Sequence, residues 1–300
     1  MKKLSGVIPA MITPFDENGA VDLCKVKQLT TFLVEKGVDC LYPTGTTGEM
    51  DSMTLEERKK VAEAVVESSQ GRCPVYVHVG CMTLKDTVEL AKHAVEIGAE
   101  GIGVVTPIYF KVNQREMESY FSDIADSVPD HFPIYLYNIP QLSGNDLTVS
   151  ICEKLAERHP NIVGIKYSLP DMERTVEYTN VKNGVFSVIQ GADHLLYPSM
   201  AIGCDGVISG CANVFPEIFV KAMACIREKD MESAKKQQKK VFDTWKILCT
   251  GDGNAMAYMK AGLRMRGMDM GHMRRPLMDL TKEQEAEFAC GFEKIMEWVE

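Results

Sequence analysis

No window of this sequence approaches the roughly 18–20 apolar residues that a membrane-spanning helix needs, so no membrane partner is expected. The first apolar stretch, Val7 to Met11, is broken by Pro9 and followed by Thr13 and Pro14. It is too short for a secretory leader. Positive charge is scarce: 33 Lys and Arg stand against 42 Asp and Glu, a net charge of −9. A nucleic-acid-binding domain normally carries a basic excess, so nucleic acid is not an expected partner. The ten cysteines include no C-x-x-C pair and no framework spacing. They read as reduced, mostly buried thiols of a cytoplasmic protein. The six histidines show neither H-x-H nor H-E-x-x-H spacing, which disfavours a metal-dependent aldolase or hydrolase; no metal site is expected. No G-x-G-x-x-G follows the first strand pattern, which disfavours a doubly wound dinucleotide-binding sheet.

What is present is a regular alternation. Short apolar runs read as strands: "GVIPAMI", "VDCLYPTG", "PVYVHVG", "GIGVVTP", "PIYLYNIP", "IVGIKYS", "FSVIQG" and "GVISG". Most are continuously apolar, as expected for parallel strands covered on both faces. Amphipathic helical patterns separate them. One begins at Thr54 with Glu57 three residues on, a capping box, and stops at Gly71; another runs from Thr83 to Gly98. Eight strand–helix steps, roughly 20–35 residues apart, imply a (β/α)8 barrel of the TIM type. The last strand ends near Ser209, and about ninety residues of helical pattern follow. The expected division is a barrel over 1–225 and a C-terminal helical extension over 226–300.

Barrel active sites form at the C-terminal ends of the strands. Those ends collect Thr13, the turn "PTGTTGEM" (43–50), "TPIYF" (106–110), Tyr137, Lys166, Gly191 to His194, and Ser209-Gly210. Lys166 closes a buried strand. A solvated lysine has a pKa of about 10.4, and its amine must be neutral to attack a carbonyl; burial favours the neutral form. Imine chemistry fits this position. Periodicity alone equally allows a lysine whose stem packs while its head leaves at the barrel mouth. In "GTTGE", amides beside Thr46 and Thr47 fit a small carboxylate, or simply cap a helix. Tyr137 fits a proton relay or a core tyrosine. Asp193 and His194 fit contacts to substrate hydroxyls or a helix cap. His78 reads as a packed core residue.

These segments together resemble the pyruvate-dependent class I aldolases, the family of dihydrodipicolinate synthase and N-acetylneuraminate lyase. The likeness spans nearly the whole chain. It rests on "GTTGE", "TPIYF", "YNIP", "GIK" and "GADHLLYPSMAIGCDGVISGCANVFPE", in order and at family spacing. The resemblance implies that Lys166 is the Schiff-base lysine, Tyr137 the proton shuttle and Thr46 the hydroxyl beside it. It implies that Thr47 anchors a carboxylate, and that Tyr109 is lent across a subunit interface in a homotetramer, a dimer of dimers. Substrate contacts are implied at Thr47, Gly48, Leu142, Ser168, Gly191, Asp193, His194 and Ile208. No cofactor is implied, because the protonated imine is itself the electron sink. The partners implied are pyruvate and an aldehyde or 2-oxo acid.

Within the family, the synthase carries an arginine two residues after "YNIP", where this chain has Leu142. The lyase resembles "YNIPQLSG" better, but it has an Asp-Glu pair where this chain has Asp193-His194, and serine at Gly210. The favoured expectation is a lyase for a hydroxylated 2-oxo acid, N-acetylneuraminate-like or a 2-keto-3-deoxy sugar acid. The alternative is 4-hydroxy-tetrahydrodipicolinate synthase, condensing pyruvate with aspartate semialdehyde; a remoter one is a non-catalytic pyruvate-binding regulator.

Overall fold

A computed structural model describes residues 3–299; Met1, Lys2 and Glu300 lie outside the described residues. Seven strands form: β1 (Gly6–Pro9), β2 (Tyr76–His78), β3 (Gly101–Val105), β4 (Ile134–Asn138), β5 (Ile162–Tyr167), β6 (Ser187–Gln190) and β7 (Gly206–Ser209). Every pairing is parallel, in the order β1-β7-β6-β5-β4-β3-β2.

The expected strand in "VDCLYPTG" is reduced to two isolated parallel bridges, Ala10 with Tyr42 and Leu41 with Val75. The segment still lies between the two ends of the sheet. Asp39 N–H donates to the Val7 carbonyl at 2.9 Å and Tyr42 N–H to that of Pro9 at 3.1 Å. On the other side, Leu41 N–H donates to the Pro74 carbonyl at 2.9 Å, and the Leu41 carbonyl accepts from Tyr76 N–H at 3.0 Å. The ladder stops because Pro43 has no N–H and Thr44 turns to φ 58°. The sheet is thus a curled, barrel-like ring of parallel backbone.

Side chains divide by strand alternation into two layers. Ile8, Tyr42, Tyr76, Tyr135, Ile189 and Ile208 fill the inside of the ring. A larger cluster, including Ile102, Leu136, Ile165 and Phe219, lies between strands and helices. Glycine makes room inside: a Cβ on Gly103 would stand 1.8 Å from the Tyr42 hydroxyl.

The helices are α1 (Leu23–Glu35), α2 (Leu55–Ser69), α3 (Leu84–Glu96), α4 (Gln114–Ala125), α5 (Pro140–Ser143), α6 (Val149–Arg158), α7 (Met172–Thr179), α8 (Leu196–Ala201) and α9 (Pro216–Arg227). The Thr54–Glu57 capping box starts α2, and the Thr83 side chain caps α3 through Asp86 N–H. Gly71 and Gly98 follow their ends at φ +68° and +74°. Three further helices follow, α10 (Met231–Cys249), α11 (Ala255–Met265) and α12 (Lys282–Met296). All ten cysteines are free thiols. No helix among the described residues is long and apolar enough to cross a membrane.

Candidate active site

Along β5, Ile165 and Tyr167 belong to the outer cluster, so alternation turns Lys166 inward. Its register partners are Tyr137 on β4 and Ile189 on β6. Lys166 is only 5% exposed. Its Nζ lies 3.9 Å from the centre of the Tyr137 ring and 5.0 Å from that of Tyr42. Electron-rich ring faces offset part of the cost of holding an ammonium there.

The Tyr137 hydroxyl meets Thr46 Oγ1 at 3.5 Å, the outer limit of a hydrogen bond. Burial alone would push this phenol's pKa up. The Lys166 charge and hydrogen bonds from Thr46, Ser168 and Lys166 outweigh burial and hold it below the ordinary tyrosine value. Ser168 reaches this position because residue 191 is glycine: a Cβ there would lie 2.0 Å from Ser168 Oγ. Behind Tyr137, His78 is fully buried with its ring edge-on at 5.8 Å. Burial, then the charges of Arg58 and Lys166, push His78 far below its usual pKa, so it is neutral.

The turn from Pro43 to Glu49 supplies the other wall. Thr44, in the left-handed region, sends its carbonyl back to Arg58 Nη2 at 3.3 Å and His78 Nδ1 at 3.2 Å. A 3-10 turn over Thr46–Gly48 follows, closed by Gly48 N–H on the Gly45 carbonyl at 3.0 Å. Among the described residues, the backbone N–H groups of Gly45, Thr46 and Thr47 meet no acceptor. Gly48 is packed against Met11 and Thr13, whose hydroxyl donates to its carbonyl at 2.7 Å. The turn ends at Glu49, also left-handed, which forms an ion pair with Lys260 of α11 at 2.8 Å. Both side chains are essentially inaccessible (0% and 1%).

The structure therefore brings Lys166, Tyr137, Thr46, Ser168 and Gly191 together. Thr47 is near Gly210, its methyl 3.7 Å from where a Cβ on that glycine would be. Ile208 packs inside the ring. Tyr109 and Leu142 are on exposed surface, 76% and 62% accessible. Tyr109 holds φ 79° and packs edge-on against Phe110 at 5.0 Å. Asn145 fixes this loop by donating to the Pro107 and Phe110 carbonyls, each at 2.8 Å. Ile108 is half-buried against Met50, Val105, Tyr137 and Ile139.

Asp193 and His194 do not point together at one place. Asp193 Oδ2 accepts from the Ser209 hydroxyl at 2.6 Å and from Cys211 N–H at 3.3 Å. His194 lies on Trp245 of α10, ring centres 4.2 Å apart, and burial lowers its pKa. Sequence reasoning missed Arg58, which sits in the charged run "EERKK", and Lys260, 211 residues from its partner. No local pattern marks either one. A separate groove of about 740 Å³ between α10, α11 and α12 contains none of the site residues.

A parallel, barrel-like sheet with a buried lysine beside a tyrosine at its strand ends defines an aldolase of the imine-forming class. Residues 3–294 match the profile of the Dihydrodipicolinate synthetase family, and the chain belongs to that family. It is 32% identical to an N-acetylneuraminate lyase of Mediterraneibacter gnavus over 284 residues, 94% of this chain and 90% of the relative. It is 38% identical to a probable 2-dehydro-3-deoxy-D-pentonate aldolase of Escherichia coli over 245 residues, 81% of each chain. The crystal structure of dihydrodipicolinate synthase from Aquifex aeolicus superposes with a TM-score of 0.91 at 35% identity, covering 97% of this chain and 98% of that one. The protein is an enzyme of the class I pyruvate-dependent lyases and aldolases.

Proposed function

We propose that this enzyme cleaves a hydroxylated 2-oxo acid, N-acetylneuraminate-like or a 2-keto-3-deoxy sugar acid, to pyruvate and an aldehyde. Lys166 attacks the C2 carbonyl and water leaves, giving an iminium. Tyr137 takes the C4 hydroxyl proton as the C3–C4 bond breaks. The bonding electrons go to C3, forming an enamine and releasing the aldehyde. Protonation of C3 and hydrolysis return pyruvate and the free lysine. Thr46 and Ser168 hold the Tyr137 hydroxyl, and Thr47 with the adjacent amides takes the substrate carboxylate. Gly48, Gly191 and Ile208 shape the pocket and Leu142 stands toward the substrate tail, whereas Asp193, bonded to Ser209 and Cys211, and His194, stacked on Trp245, are turned away from it.

The observation that carries this reading is Lys166, 5% exposed and 3.9 Å from the Tyr137 ring centre. Leu142 supports cleavage over synthesis: no cation there offsets the charge of an aspartate semialdehyde carboxylate. The bridged segment between β1 and β2 supports a closed (β/α)8 barrel. The free thiols support a cytoplasmic setting. The exposed Tyr109–Phe110 pair supports a homotetramer in which Tyr109 enters a neighbour's site. A panel of 2-oxo sugar acids assayed for pyruvate release tests the reaction. Release from at least one panel member is expected. Robust turnover of pyruvate with aspartate semialdehyde, and none of the panel, would overturn it.

A further inference from the structure

Arg58 is a buried charge that the reaction above does not use. It projects from α2 and is 4% exposed. Its acceptors are all uncharged: the Gly80 carbonyl at 2.8 Å, the His78 carbonyl at 2.7 Å, the Thr44 carbonyl at 3.3 Å and Cys81 Sγ at 3.0 Å. The Cys81 thiol is itself held protonated, chiefly by burial. Burying a cation without a counter-ion is costly, and such groups concentrate where a site uses the field.

One carboxylate, that of Asp51, acts on Arg58 through space from an exposed position, with no ion pair between them among the described residues. Lys166 and Arg58 both act on the neutral ring of His78. The buried carboxylates of Glu49 and Asp193 are committed elsewhere, Glu49 to Lys260 and Asp193 to Ser209 and Cys211. Arg58 is connected to the substrate wall through one peptide unit. It holds the Thr44 carbonyl, and the other end of that trans peptide is the Gly45 N–H, which points the opposite way and meets no acceptor among the described residues. Thr44 is kept in its left-handed conformation by this contact, by His78 Nδ1, and by its own hydroxyl on the His78 carbonyl at 2.8 Å.

We propose that Arg58 is a positioning residue that sets the enzyme's preference for anionic carbonyl substrates, by polarising and fixing the Thr44–Gly45 peptide behind the substrate carboxylate. This rests on the reading of the site given above. The guanidinium does not touch the substrate. It orients the Gly45 amide and supplies a positive field that only a charged ligand feels. A neutral carbonyl compound of the same size gains nothing from it.

Borohydride trapping of the imine separates this from mere scaffolding. The half-maximal concentrations of pyruvate and of its neutral methyl ester are measured by mass spectrometry, with thermal melting alongside. Arg58→Gln keeps amide donors and removes the charge. It is expected to raise the pyruvate value roughly tenfold or more while moving the ester value by less than about twofold. Arg58→Lys keeps the charge and loses the fork. It is expected to hold the pyruvate-to-ester ratio within about twofold of wild type. Equal weakening of both ligands in Arg58→Gln, or no change, would overturn the proposal. If Arg58→Gln does not fold, a changed ratio in Arg58→Lys overturns it and a retained ratio upholds it. Failure of the wild type to trap either ligand would instead sink the imine reading itself.

Discussion

Lys166 Nζ stands 3.9 Å from the centre of the Tyr137 ring, across one rung of the β4–β5 register. The same tyrosine presents its hydroxyl to Thr46, Ser168 and Lys166, so Lys166 meets both its ring and its oxygen. Tyr137→Phe keeps the ring and removes only the oxygen. Turnover is expected to fall by about 10²–10⁴-fold, the usual range for a general acid–base group, with the melting temperature nearly unchanged. Because the phenol's pKa is held below its usual value, the wild-type rate of imine formation is expected to rise with pH through a point below 10. That limb is expected to vanish in Tyr137→Phe. A loss under about threefold would mean that the hydroxyl is only structural.

Gly191 is expected to matter through Ser168. A methyl group at 191 falls 2.0 Å from Ser168 Oγ, so the hydroxyl must leave Tyr137. Gly191→Ala is expected to cut kcat/KM at least roughly tenfold. Adding Ser168→Ala removes the 2.0 Å contact but leaves the Cβ and Cα of residue 168 at 2.9 and 3.0 Å, so melting is expected to recover in part while activity does not. Recovery of both would show that only packing was disturbed.

The Glu49–Lys260 pair ties the "GTTGE" turn to α11 with both groups out of water. Breaking one partner strands the other. Lys260→Met is expected to cost about 3–5 kcal/mol in denaturant unfolding. Glu49→Gln in the same chain, which keeps the acceptor for Arg274 N–H, is expected to return at least about 1 kcal/mol of that. Simple additivity of the two losses would mean that the charges are not coupled.

Much of this architecture was legible because burial leaves a pattern. Continuous apolar runs and the Thr54–Glu57 box marked strands and helix starts. The segment "VDCLYPTG" read as a full strand for the same reason, yet Pro43 and the φ of Thr44 cut its ladder to bridges. Lys166 was legible as a charge inside an apolar run. Arg58 was not, because one arginine among "EERKK" looks like any solvated helix face. Lys260 was not, because its partner is 211 residues away. Asp193 and His194, adjacent in sequence, were legible as a pair but not in direction; one turns to Ser209 and the other to Trp245.

Tyr109 tests assembly. It is 76% exposed at φ 79°, next to an equally bare Phe110 at 74%. If it completes a neighbour's site, Tyr109→Phe and Lys166→Ala are each impaired alone. They are expected to recover part of the activity when mixed and reassembled, because some sites then draw both intact residues from different chains. No recovery despite demonstrated subunit exchange would refute a shared site.

Trapping the enzyme with borohydride in the presence of pyruvate, then mapping the adduct by peptide mass spectrometry, tests the central claim most directly. The account predicts one reduced pyruvate adduct, on Lys166, with irreversible loss of activity, and no adduct in Lys166→Ala. An adduct on another lysine, or full activity in Lys166→Ala, would contradict it.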